Sequence, residues 1–132
     1  MTVKELYSLS SRLIYEAPYD DDDLMDSFPS ILNQILAEAT DYENQFRRLE
    51  GRTLLKVEDI PLYDDPKDER QLPFCEKLCR AALPLGVKAA FLEEDGGKQA
   101  EAVLAYNKYV SALADLTPAV FVEVEGDDGA DE

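Results

Sequence analysis

The chain is 132 residues long, a common single-domain size at which about two-thirds of the unfolded surface is buried around one modest core, so two independent domains are not expected. Its 45% hydrophobic content suffices for folding, whereas 13 Lys+Arg against 29 Asp+Glu leave a formal charge of -16, too acidic for an unaided nucleic-acid binder. His and Trp are both absent, which removes the mechanisms built on imidazole, among them Ser-His-Asp, Cys-His and the histidine zinc sites.

The first helix is expected to begin at Thr2, because Thr2-Val3-Lys4-Glu5 fits a reciprocal capping box in which Thr accepts from the backbone and Glu reaches back. Val3, Leu6, Leu9 and Leu13, with Tyr7 and Ile14 nearby, form its expected inward stripe, and Pro18 ends it. A long helix follows. Leu24, Phe28, Ile31, Ile35, Ala39, Tyr42, Phe46 and Leu49 recur at steps of three or four and hold one face for about seven turns. Asp20, Asp21, Asp22 and Asp23 complement the partial positive charge at its start, and Arg47 and Arg48 lie at the opposite end near Gly51. Pro29 leaves two starts open: near Ser27 with Pro29 in the first turn, or near Asp22 with a bend at Pro29.

Residues 52–72 carry Pro61, Pro66 and several acids, with Leu54, Leu55, Val57, Ile60 and Leu62 available to pin an otherwise irregular connection onto the core. Such a loop exceeds the roughly 2–8 residues usual between bundle helices and is a candidate functional arm. Helicity is expected to resume near Leu72-Pro73, with Phe74, Leu78, Ala82, Leu85, Ala89 and Leu92 on one face and a kink or short break at Pro84-Leu85-Gly86. Ala81, Ala82, Gly86, Ala89 and Ala90 would let a second helix approach closely. Cys75 and Cys79 are four apart in this pattern, where a disulfide is disfavoured, and read as free, half-buried thiols.

Glu93-Glu94-Asp95-Gly96-Gly97 reads as a turn, and the last helix runs from about Lys98 to Leu116 with Ala102, Tyr106, Tyr109, Val110, Leu113 and Leu116 inward. Its short connection implies an antiparallel hairpin. Ala119 to Val124 is rich in β-formers and reads as a short extended strand that packs as an arm, pairs with residues 53–57 or adds to another molecule's sheet. The expected fold is therefore all-α, with four main helices: a long kinked central helix, a C-terminal antiparallel hairpin and a short extended C-terminal arm. It divides into a helical domain over 1–117, an arm or strand over 118–125 and a disordered acidic tail over 126–132.

The charge falls in two blocks. Between Leu13 and Phe46 there are nine acids and no base, after Lys108 there are seven acids and no base, and the remaining segments sum to zero. No apolar run has signal-peptide length or approaches the roughly 20 residues of a membrane span, so a soluble, intracellularly made protein is expected.

Chemical motifs are weak. Asp20 to Asp23 resemble a divalent-cation loop, but Leu24 sits where a third ligand belongs and the glycine is missing, so a solvated helix-start cluster is favoured; Asp26 extends this acidic surface. Gly96-Gly97-Lys98-Gln99 lacks the earlier glycine and the Ser/Thr of a phosphate loop and reads as a turn. Tyr7, Tyr15, Tyr19, Tyr106 and Tyr109 could form a recognition surface, although at helical spacing such tyrosines are more often core-edge residues. Glu93 and Glu94 could serve as acid and base, but nothing predicts a pocket that would shift either. No catalytic, cofactor-binding or metal-ligating residue is assigned, and no enzyme activity is expected.

Three segments carry a resemblance: Ser30-Ile31-Leu32-Asn33-Gln34-Ile35-Leu36-Ala37-Glu38 in the long helix, Asp59-Ile60-Pro61-Leu62 in the polar loop, and the late hairpin. In the hairpin, Leu83-Pro84-Leu85-Gly86-Val87-Lys88-Ala89-Ala90-Phe91-Leu92 precedes an acidic turn and Ala105-Tyr106-Asn107-Lys108-Tyr109-Val110-Ser111-Ala112-Leu113. Over residues 3–116 the chain resembles the head-tail adaptor (connector, neck) proteins of tailed phages and prophages. That resemblance implies a structural assembly protein without catalytic residues or cofactors. A ring of copies would dock under the portal protein and meet a tail or stopper protein, in the host cytoplasm during assembly and then in the virion neck, with no membrane and no sequence-specific nucleic-acid binding. Ile60, Leu62, Tyr63, Tyr106, Tyr109, Val120, Phe121 and Val122 are then the candidate assembly contacts, and Asp20, Asp21, Asp22, Asp23 and Asp26 the candidate acidic surface. Like charge would keep passing DNA from sticking, since phosphate binding is driven by Lys and Arg releasing counterions.

Two other classes stay open. A DNA mimic would place its carboxylates in a basic groove of a DNA-binding enzyme, although it needs charge spread along an ordered face. A small regulatory or chaperone-like protein that binds a basic partner has no distinguishing signal here.

Overall fold

The computed structural model describes residues 1–14, 22–94 and 97–116. Among them every regular element is helical: α1 (Val3–Ile14), α2 (Asp22–Glu50), a single 3₁₀ turn (Val57–Asp59), α3 (Glu76–Ala81), α4 (Leu83–Glu93) and α5 (Gln99–Leu116). Successive α3 and α4 form one kinked helix, which leaves four main helices. The expected arm at 118–125 and tail at 126–132 lie outside the described residues, as does the centre of the expected turn, Asp95-Gly96.

Local chemistry sets the ends of the first two helices. The Thr2 backbone N–H donates to Glu5 Oε1 at 2.8 Å and the Glu5 N–H donates to Thr2 Oγ1 at 3.1 Å, which closes the capping box. An antiparallel bridge joins Thr2 to Gln71, and the α1 start is further tied to the chain by Val3 N–H to Arg70 C=O and Lys4 N–H to Asp68 C=O. At the far end of α2, Gly51 takes φ 71, Arg52 N–H reaches Arg47 C=O at 2.8 Å and Gly51 N–H reaches Arg48 C=O at 3.2 Å, the two bonds of a Schellman cap. Of the two starts open to α2, the helix takes Asp22 and runs on through Pro29.

The inward faces differ from the expected ones in a consistent way. In α1 the buried positions are Val3, Leu6, Tyr7, Ser10 and Ser11, whereas Leu9 and Leu13 are exposed. The stripe is turned toward two serines, and Ser10 Oγ satisfies itself by donating to Leu6 C=O at 2.8 Å. In α2 the expected face holds from Leu24 to Ala39, with Leu32 and Leu36 also buried. It then turns, so that Thr40, Glu43 and Asn44 are inward, Tyr42 and Phe46 half-buried and Leu49 exposed. In α5 the buried residues are Ala102, Ala105, Tyr109 and Leu113, while Tyr106 and Val110 point outward. Tyr106 and Val110 each follow a buried position by one residue, a rotation of about 100° that removes them from the core.

The helix break comes at Ala82, earlier than expected, because Pro84 lies in the first turn of α4, where its missing N–H costs nothing. Gly86 consequently sits inside α4, not at the break. It has a packing role: a Cβ at Gly86 would lie 3.0 Å from the Tyr109 ring of α5. The short helix α4 also lies against α1, α2 and α3, so four elements meet on it. Tyr7 and Phe28 join α1 to α2 edge-to-face, with ring centroids 5.1 Å apart.

Two outcomes follow. Gly86→Ala is expected to destabilise the chain, because overpacking of about 1–3 kcal/mol outweighs a helix-propensity gain of about 1 kcal/mol; denaturant unfolding followed by circular dichroism reads it. The Glu5 carboxyl is held below its usual 4.5 by the Thr2 hydrogen bonds, so its contribution is present above 4.5 and lost as the pH falls through the lowered folded value. Thr2→Ala keeps the backbone N–H that is the larger cause and removes only the hydroxyl, so Glu5 should move part of the way back toward 4.5 in an NMR titration and the acid dependence should weaken without vanishing.

Candidate functional site

The long connection after α2 is laid back along that helix by polar side chains, together with Leu55 and Ile60, two of the five residues expected to pin it, which pack against the core. Asn33 and Asn44 are eleven residues apart, close to three full turns, and therefore lie on the same side of α2. Each carboxamide mimics a backbone unit, with one donor and one acceptor. Asn44 Nδ2 donates to Leu55 C=O at 2.9 Å and Asn44 Oδ1 accepts from Leu55 N–H at 2.7 Å. Asn33 repeats the arrangement with Tyr63, at 2.9 Å in both directions.

Glu43 closes the loop at its two ends. Its fully buried carboxylate accepts from Arg47 Nε at 2.6 Å and Arg52 Nη2 at 3.0 Å on one oxygen, and from the Cys75 backbone N–H at 2.8 Å on the other. The remaining Arg47 nitrogens donate to Thr53 C=O at 3.1 Å and Pro73 C=O at 2.9 Å. One acid and one arginine thus fasten the entrance of the loop, its exit and the start of α3.

This clamp separates the three loop residues expected at an assembly surface. Tyr63 is buried under the Arg70 guanidinium, which lies 5.0 Å from its ring centroid, and burial pushes its hydroxyl above the usual tyrosine range. Ile60 is half-buried, and Leu62 is 82% exposed between them. Leu54 and Val57, expected as pins, are exposed as well.

The last helix, α5, presents Val103 at 58%, Leu104 at 57%, Tyr106 at 57% and Val110 at 42% exposure. Val103, Tyr106 and Val110 follow i, i+3, i+7 spacing and form one apolar outer stripe. Tyr106 and Tyr109 are therefore not equivalent: their rings meet at 6.5 Å, but Tyr106 stands in this stripe while Tyr109 is buried on Gly86. Between α2, α4 and α5 lies a groove of about 230 Å³ into which Gln34, Glu38, Glu93, Glu94, Tyr106 and Tyr109 all face.

The other sequence-derived candidates divide as follows. Asp23 and Asp26 are exposed near the start of α2, Asp22 begins that helix, and Asp20, Asp21, Val120, Phe121 and Val122 lie outside the described residues. Among the described residues no group of three or more His, Cys, Asp or Glu could hold a metal ion. Both thiols are free; Cys75 is half-buried, and burial pushes the Cys79 thiol up to about 12, so it remains protonated. Glu43 and Asn44 were missed as organising residues. Their only sequence trace is polar residues on the flank of an apolar helical face, with Arg47 four residues after Glu43.

Glu43→Ala should cost about 3–5 kcal/mol, because it leaves Arg47 partly buried without its carboxylate. The Glu43→Leu/Arg47→Met pair should recover part of that loss, read as the urea midpoint of each variant.

Comparison with known proteins gives no match: no family, no curated protein and no solved structure matches the chain.

Proposed function

We propose that this chain is an assembly protein that acts by holding a protein partner against a helical surface, not by turning over a substrate. The observation that carries the reading is the outer stripe of α5, where Val103, Tyr106 and Val110 are left exposed among the described residues, with Leu104 exposed beside them. Contiguous exposed apolar side chains of this kind mark interaction sites, whereas singly scattered ones need no explanation. The clamped loop supports the same reading, since Asn33, Asn44 and Glu43 hold an exposed Leu62 on a fixed backbone rather than on a loose one.

Within that class, the reading is a head-tail adaptor of a tailed phage or prophage, joining the portal of the filled head to the tail as an oligomer. The support is the resemblance in the α4–α5 hairpin, whose second helix is also the one with the uncovered stripe. A predominantly acidic protein suits a place beside DNA in transit, because it offers phosphates few cations to hold.

The test is co-sedimentation with a tailed-phage portal protein, together with light scattering of each component alone. Binding should be lost by at least tenfold in Val103→Asp/Val110→Asp, with the helical circular dichroism unchanged. A chain that ignores portal protein yet inhibits a DNA-binding enzyme at low salt would sink the adaptor reading and establish the DNA mimic in its place.

A further inference from the structure

We propose that the groove between α2, α4 and α5 is a receptor for an arginine side chain of a protein partner. The inference goes beyond the assembly reading, because it rests on the groove's own chemistry and holds whichever protein supplies the arginine.

Three carboxylates line the groove: Glu38 on α2, Glu93 in the last turn of α4, and Glu94 just after it. None of them forms an ion pair among the described residues. Glu38 has one long contact, 3.5 Å from Gln34 Nε2, which leaves most of its acceptor capacity open. Because α4 ends at Glu93, the negative end of its helix dipole points to the same place and adds to the attraction for a cation. Among the described residues these acids do not group closely enough to hold a metal ion.

The second observation is independent of these acids. Tyr109 is only 5% exposed, lines the groove, and its buried hydroxyl has no hydrogen-bond partner among the described residues. A buried polar group in that state is costly and calls for a hydrogen-bond partner, and the phenol oxygen can accept one from a donor. The ring cannot withdraw toward α4, because it already rests on Gly86 at the distance where even a methyl group would crowd it.

Arginine meets both requirements at once. Its guanidinium carries five N–H donors in a planar fork, enough to serve carboxylates on two sides and the Tyr109 oxygen together, and its methylene stem can lie on Ala89 and Ala90. The exposed Tyr106 ring at the rim offers a face for the guanidinium plane. Lysine has three donors on a compact, strongly hydrated head and would satisfy fewer of these acceptors.

The probe is the blocked tripeptide acetyl-Ala-Arg-Ala-amide, titrated into the full-length chain and followed by amide NMR shifts, with the lysine and citrulline tripeptides as comparisons. The arginine peptide should give saturable shifts centred on Gln34, Glu38, Ala90 and Tyr106, the lysine peptide weaker ones and the neutral citrulline peptide none. Glu38→Gln should weaken binding at least fivefold, whereas Asp64→Asn/Asp65→Asn, which removes two charges from the exposed loop, should not. Tyr109→Phe should weaken binding while the melting temperature holds or rises, since it deletes an unsatisfied hydroxyl. Shifts scattered over the acidic surface, equal losses in Glu38→Gln and the loop control, or undiminished affinity in Tyr109→Phe would each overturn the proposal.

Discussion

The constraint on which the rest of this structure depends is that α4 is enclosed. Eleven residues long and bearing only Lys88 and Glu93 as charges, it buries Leu83, Pro84, Gly86, Val87, Ala89 and Leu92, residues that point in several directions around the helix. A helix apolar on most sides cannot lie on a surface, so other elements must wrap it, and α1, α2, α3 and α5 all do. Small side chains then set the spacing. Gly86 admits the Tyr109 ring, which fixes the rotation of α5, and that rotation is what turns Val103, Tyr106 and Val110 outward. The groove and the uncovered stripe thus share one geometric cause.

A second, electrostatic constraint governs the loop. Burying a carboxylate costs several kcal/mol unless charge and hydrogen bonds offset it, and Glu43 meets that requirement with two arginines and a backbone N–H. The partners come from four places in the chain: Arg47 in α2, Arg52 just past its cap, the carbonyls of Thr53 and Pro73 reached through Arg47, and Cys75 before α3. Because all must be in position before the charge is satisfied, the network favours one arrangement of the loop over its near alternatives. With Asn33 and Asn44 it fixes the backbone on both sides of Leu62 while leaving that side chain uncovered.

How much of this was legible follows the range of the interaction. The capping box at Thr2 and Glu5 and the glycine cap at Gly51 are satisfied within a few residues, and both are readable as patterns. Helix existence was equally clear, because apolar spacing over several turns leaves little choice. Which residues face inward was less so. In α1 a rule that counts leucines places Leu9 and Leu13 inside, but Ser10 and Ser11 are the buried positions of a helix that packs against α4. In α5 the choice between Tyr106 and Tyr109 depended on Gly86, twenty-three residues earlier, which no periodicity within α5 contains. Glu43 was the least legible: it was counted as one acid in an acidic block, and only its distant partners distinguish it.

That last point changes the meaning of the net charge. The nine acids between Leu13 and Phe46 look alike in sequence, yet the described ones occupy different environments. Asp23, Asp26 and Asp41 are exposed, Glu38 borders the groove, and Glu43 is internal and neutralised by arginine. A buried, paired carboxylate contributes little field at the surface, whereas unpaired acids at a groove concentrate theirs. The figure of -16 therefore overstates how uniformly acidic a partner would find this molecule, and understates how selective one part of it is. Glu38, Glu93 and Glu94 come together only because α2 and the end of α4 are adjacent, although they lie in segments of quite different charge balance. The proposed recognition of an arginine would thus be a property of helix packing, with the acidic composition supplying the long-range attraction that brings a cationic partner near.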